Sequence, residues 1–138
     1  YDYYQTKDGR YFSVGSLEPQ FMAGLATALE LPILLAKGTS FDPEDRQAVK
    51  QALQEKFQTQ DFAAWQHLFK RLDICVEPVL SLDEALVSPI AQQRGWVVEV
   101  PLSENAAQTE PQLACPIKFS RSQMKYAFIG QGLGEGKW

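Results

Sequence analysis

One acidic residue stands where a rigid frame could aim it. Glu18 lies in the run Val14-Gly15-Ser16-Leu17-Glu18-Pro19-Gln20-Phe21, at the junction between a β-type segment and a helical one. A carboxylate held there can project from the edge of a domain and orient, or exchange a proton with, a neighbouring group. The plain alternative is a carboxylate that interacts with the positive end of a helix and has no other task.

The other reactive side chains make a poorer case. His67 is the single histidine, and it falls inside a helical segment from Phe62 to Leu72. A structural or solvent-facing role is the expectation for it, because general-base work needs a positioned partner that the sequence does not supply. Cys75 and Cys115 are the only cysteines and form no CxxC pair, which argues against a disulfide scaffold or a four-ligand zinc site. Cys75 is flanked by Ile74 and Val76; nothing in an apolar strand lowers a thiol pKa, so packing is its expected role. The acids from Asp2 to Glu110 make no cluster with metal-ligand spacing beside a histidine, so neither a metal nor a cofactor is expected. Gly130, Gly132, Gly134 and Gly136 alternate with other residues but lead to no Lys-Ser or Lys-Thr step. They read as a flexible tail, not as a phosphate-cradling loop. One helical histidine would have to serve every triad-like scheme, so the chain alone lacks a catalytic set.

The elements that must position Glu18 are legible on either side of it. Tyr1 to Thr6 and Arg10 to Val14 are aromatic-rich and separated by Lys7-Asp8-Gly9, which predicts a β-hairpin. From Pro19 the apolar residues Phe21, Met22, Leu25, Ala26 and Leu29 recur at a helical period. Pro19 suits the first turn, and Ser16 or Glu18 could cap it. Asp42-Pro43 opens a second helix with Val49, Leu53 and Phe57 on its inner face. Thr59 is expected to cap a third, with Phe62, Trp65, Leu68, Phe69 and Leu72 on its apolar face.

Cys75 to Val79 contains Pro78 and predicts an edge strand or an extended crossing. Ser81-Leu82-Asp83-Glu84 has capping-box spacing and predicts a short helix to about Val87. Trp96 to Val100 predicts a strand that Pro101 stops. Residues 103–112 predict an exposed loop, and Ala114 to Phe119 an extended segment. Strands at both ends with helices between them predict an α+β fold: a small, mostly antiparallel sheet closed by long-range pairing, with an N-terminal β-hairpin and several amphipathic helices.

Composition bounds the partners. A chain of 138 residues that is 45% hydrophobic can bury one ordinary core. Its 13 basic and 17 acidic residues are mixed along the sequence, so no basic stripe is available to a nucleic-acid backbone. The most apolar run, Leu29 to Ala36, is interrupted by Glu30 and Pro32 and falls well short of the roughly 20 residues of a membrane span. A cytoplasmic location is expected. The chain opens directly on a strand-like Tyr1-Asp2-Tyr3-Tyr4, which reads as a domain excised from a larger two-domain enzyme.

The run from Tyr4 to Phe21 resembles the start of the small domain in family III CoA-transferases of the CaiB/BaiF type, and in particular in α-methylacyl-CoA racemases. Asp61 to Trp65, then Leu72-Asp73-Ile74-Cys75-Val76-Glu77-Pro78-Val79-Leu80-Ser81-Leu82-Asp83-Glu84-Ala85, is similar to a second stretch of that family. Pro116-Ile117-Lys118-Phe119-Ser120 resembles its closing strand. The chain departs from the pattern in the apolar segment Leu31 to Ser40. It departs again from Phe128 to Trp138, which lacks a His-Thr step.

The resemblance implies a small domain over residues 1–120 and a partly flexible extension over 121–138. It implies a larger, Rossmann-like domain of the same protein that binds CoA and carries the catalytic histidine and aspartate, with two subunits interlocked as a homodimer and acyl-CoA as substrate. Glu18 matches the glutamate that contacts the catalytic histidine and is the catalytic residue the resemblance assigns here. CoA-transferases of the family carry an Asn-Asp pair where this chain has Leu17-Glu18-Pro19-Gln20. The racemase branch is therefore the first expectation and the transferase branch the second. A binding or oligomerisation module on the same fold stands as a third. Exposure of a face meant for the large domain would make the isolated chain self-associate.

Overall fold

A computed structural model describes residues 1–130, so the glycines from Gly132 onward, expected to be a flexible tail, lie outside the described residues. The described residues divide into two compact units, one spanning Tyr1–Val79 and the other running from Leu80 onward.

The first unit is built on a three-stranded antiparallel sheet. β1 (Asp2–Gln5) and β2 (Tyr11–Val14) form the expected hairpin, with Tyr4 opposite Phe12. Gly9 sits in the turn at φ 82°, a left-handed conformation that glycine adopts without steric cost. β3 (Val76–Pro78) pairs with the other side of β2, setting Val14 opposite Val76 and Phe12 opposite Pro78. Pro78 is tolerated because β3 is an edge strand. Alternation along the strands buries Tyr4, Phe12, Val14 and Val76 and leaves Tyr3 and Tyr11 exposed on the other face.

Helices cover the buried face. α1 (Pro19–Leu29) buries Leu25, Ala26 and Leu29, with Phe21 and Met22 half-buried on the same stripe. Neither expected cap acts as one: Glu18 makes no side-chain capping bond, and the Ser16 hydroxyl is turned inward to the Ile74 carbonyl. The helix ends in a Schellman motif, in which Leu31 N–H donates to the Ala26 carbonyl at 2.9 Å and Glu30 N–H to that of Thr27 at 3.2 Å. Glu30 therefore holds the left-handed position, φ 55°, that glycine fills more easily. A short α2 (Ile33–Lys37), which periodicity did not reveal, follows and buries Leu34. α3 (Pro43–Phe57) starts as expected, with the Asp42 carboxylate accepting from the N–H groups of Glu44 at 2.8 Å and Asp45 at 3.2 Å.

α4 (Phe62–Phe69) departs from expectation at both ends. Thr59 closes the preceding helix, its hydroxyl donating to the Lys56 carbonyl at 2.7 Å. The cap of α4 comes from the hairpin turn instead: Phe62 N–H donates to Asp8 at 3.1 Å. Leu72 falls beyond the helix and is exposed. The inward residues assemble one aromatic core. Phe12 lies 4.9 Å from Phe62, 5.5 Å from Phe69 and 5.9 Å from Phe57, measured between ring centroids. Trp65 stacks on Phe69 and donates its indole N–H to the Phe57 carbonyl at 2.9 Å, so its one polar atom is satisfied inside the core.

The second unit begins with α5 (Leu82–Leu86), opened by the expected capping box of Ser81 and Glu84. α6 (Pro89–Arg94), capped by Ser88, was not foreseen. Gly95 at φ 60° turns the chain out of it into β4 (Val97–Pro101). The partner of β4 is β5 (Thr109–Leu113), with Val98 opposite Gln112. Two expectations are corrected here, since part of the 103–112 loop is a strand and Ala114 to Phe119 forms none. β5 carries Glu110, Pro111 and Gln112, poor strand formers that pair because β4 offers an open edge. The antiparallel α+β character holds, but the strands form two separate sheets where one sheet closed between the chain ends was expected.

Two stability measurements follow from the caps. Glu30→Gly relieves a left-handed backbone and should stabilise the chain by about 1 kcal/mol, read as a higher urea midpoint with an unchanged slope. Asp8 is held below the ordinary carboxylate value of 3.8 by the Thr6 hydroxyl and then by Phe62 N–H, against an opposing desolvation. A carboxylate with a depressed folded-state pKa stabilises above its unfolded value and loses that contribution as pH falls through the folded one. The acid limb of the stability curve, below about pH 4, should therefore flatten in Asp8→Asn.

Candidate functional site

Glu18 is placed by what lies on both sides of it. It is the last extended residue before α1, at φ −70° and ψ 144°, and Pro19 fixes the first helical φ immediately after. Its carbonyl accepts Met22 N–H at 2.9 Å, which commits the backbone to the helix. The side chain is exposed and accepts no capping bond. A fixed backbone thus carries an exposed carboxylate that does not cap its own helix.

The residues before it are tied to a segment from the other end of the unit. Gly15 N–H donates to the Cys75 carbonyl at 2.9 Å, the buried Ser16 hydroxyl donates to the Ile74 carbonyl, and Leu17 N–H returns to Gly15 at 2.8 Å. Gly15 also sits against the Tyr1 ring, with the space of a missing Cβ 3.6 Å from it. Strand pairing of Val14 with Val76 brings the two segments together.

Cys75 requires a correction. It is exposed and adopts φ 52°, whereas packing in an apolar strand was expected. Ile74 and Val76 are buried, whereas the left-handed Cys75 between them lies ahead of β3 and is left exposed. Desolvation pushes the thiol pKa up, followed by the charges of Glu18, Asp73 and Glu77. The same carboxylates make this end of the sheet a place where an added cation would be stabilised.

The remaining candidates are not brought to this junction. His67 lies on the exposed face of α4, opposite the buried Phe62, Trp65 and Phe69, and has no hydrogen bond or ion pair with Glu18. Among the described residues no group of three or more His, Cys, Asp or Glu is placed to hold a metal ion. No helix among them is long and apolar enough to cross a membrane. An open cavity of about 290 Å³ lies in the second unit against Val98, Cys115, Lys118, Phe119 and Tyr126, and it includes no residue of the Glu18 junction.

The electrostatic link between Glu18 and Cys75 has a direct readout. Removing the charge in Glu18→Gln should increase the thiolate fraction of Cys75 and speed its alkylation by iodoacetamide at pH 8 by roughly twofold or more. Mass-spectrometric rates at Cys75, with Cys115 as the internal reference, measure it.

Comparison with known proteins agrees with this architecture. The chain is 35% identical over 91 residues to alpha-methylacyl-CoA racemase of Mus musculus, covering 62% of this chain and 22% of that protein. It is 31% identical over 100 residues to the Homo sapiens racemase of the same name, covering 69% of this chain and 25% of that protein. The chain therefore spans about a quarter of the length of these curated relatives. A CAIB/BAIF family protein from Brucella suis shares the fold with a TM-score of 0.68 at 18% identity, over 93% of this chain and 33% of that one. Rv3272 from M. tuberculosis, in its orthorhombic form, has a TM-score of 0.68 at 15% identity, over 86% and 34% respectively. Residues 1–130 match the sequence pattern of CoA-transferase family III, and the chain belongs to that family.

Proposed function

We propose that this chain is the small domain of a 2-methylacyl-CoA racemase, and that Glu18 helps form an active site completed by a large domain of the same protein. The observation that carries this reading is the Glu18 junction: an exposed carboxylate, free of capping duty, on a backbone fixed by strand, proline and helix. The likeness to two racemases supports the branch.

The chemistry fits what such a carboxylate can do. A thioester acidifies the proton on the α-carbon of an acyl-CoA. One base removes it, hydrogen-bond donors hold the enolate, and an acid on the opposite face returns a proton, which inverts the centre. Glu18 would stand beside the catalytic histidine of the large domain, orient its ring and favour its protonated form. The neighbouring charges of Asp73 and Glu77 add to that preference. The substrate brings CoA itself, so the reading needs no resident cofactor or metal. In the whole protein two subunits would interlock, in the cytoplasm, so that the small domain covers the catalytic face of a large one.

The family match also covers CoA-transferases, which supports a second reading in which CoA passes between carboxylic acids through an acyl anhydride on a large-domain aspartate. Glu18 in place of an Asn-Asp pair favours the racemase.

The test uses the full-length protein with one enantiomer of a 2-methylacyl-CoA in D2O, following deuterium entry and configuration at the α-carbon. Exchange with inversion, slowed at least roughly tenfold in Glu18→Gln, is the expected result. Transfer of CoA to an added carboxylate without exchange would assign the transferase reaction instead.

A further inference from the structure

We infer that Ser16 is the positioning residue for Glu18, its buried hydroxyl locking the strand-to-helix junction to the Ile74 carbonyl two residues ahead of the carboxylate. The inference rests on the racemase reading of Glu18 and adds to it the device that aims the side chain.

The geometry has three points of attachment. Ser16 and Thr6 are the buried polar residues among those described, and the partner of Ser16 is 58 positions away in sequence. Gly15 N–H holds the next carbonyl, that of Cys75. An extended strand turns successive carbonyls to opposite sides, whereas here the left-handed Cys75 stands where two successive carbonyls are both taken up by Gly15 and Ser16. The third point is on α1 itself. A Cβ on Gly24 would come within 2.6 Å of Ile74 Cγ2, so the helix that begins at Glu18 rests against the same residue that accepts the Ser16 proton.

Ser16 and Gly24 therefore fix the entry of α1 relative to Ile74 from two sides. Glu18, between them, has no side-chain bond of its own to set its direction. Its aim is inherited from this frame. A carboxylate that must meet a group from another domain is sensitive to such aim, since misplacement by about 1 Å can cost on the order of a hundredfold in rate.

The experiment compares Ser16→Ala, Ser16→Cys, Gly24→Ala, Glu18→Gln and the double variant Ser16→Ala/Glu18→Gln in the full-length protein, by deuterium entry into a 2-methylacyl-CoA. Ser16→Ala should lower kcat by about tenfold with KM changed less than about twofold, and Ser16→Cys should recover part of the loss. Gly24→Ala, which displaces Ile74 from the helix side, should lower kcat in the same way and keeps the test open if Ser16→Ala fails to fold. The double variant should be no slower than Glu18→Gln alone, because Ser16 acts only through Glu18. Multiplying losses in the double variant, or full activity in both Ser16→Ala and Gly24→Ala beside a slow Glu18→Gln, would overturn the positioning role alone. A fully active Glu18→Gln would overturn the proposed function and this role with it.

Discussion

The burial of one ring, that of Phe12, constrains the rest of the first unit. Phe12 lies in the middle strand, wholly inaccessible, and meets Phe57 from α3 and Phe62 and Phe69 from α4. A slip of one residue in β2 would turn Phe12 and Val14 to the solvent face and bring Tyr11 and Ser13 inward. The register of β2 is therefore fixed by core packing, and the register in turn decides which residues ahead of β3 stand beside Gly15 and Ser16. A site at the surface inherits its geometry from a contact in the core.

The electrostatics of the junction follow from the same arrangement. Strand pairing gathers Asp73, Glu77 and the helix-entry carboxylate of Glu18 around one thiol, which is disfavoured as a thiolate there. A helix N-terminus would normally attract the carboxylate of its own N-cap, yet Glu18 leaves that role unfilled. Pro19 reduces the number of N–H groups that ask for a cap. The carboxylate is left exposed and without a capping bond.

How much of this could be read from the sequence depended on the range of the interaction that decides each element. The hairpin, the start of α3 and the Ser81 capping box rest on neighbours within four residues and were legible. The cap of α4 was not, because Asp8 supplies it from 54 positions away. Thr59, the local candidate, serves the helix behind it instead. The short α2 and α6 carry too few turns for a period to emerge. β5 became a strand through an available partner and against its own composition. At the site, Glu18 was visible as a residue type at a junction, whereas the exposure of Cys75 comes with a left-handed backbone that its apolar neighbours do not announce. The bond from Ser16 to Ile74 had no local signature at all.

The pairing of β2 with β3 also shapes how the unit is made. Val14 leaves the ribosome about sixty residues before its partner Val76, which at ~5–20 residues per second is a wait of roughly 3–12 seconds. For that interval the future central strand has one edge paired and the other open, with its aromatic face lacking most of its cover. Nascent chains in that condition are the ones that chaperones hold and that aggregate when they are not held. Any truncation upstream of Val76 would make the interval permanent, so synthesis of this domain carries its greatest hazard in its first half.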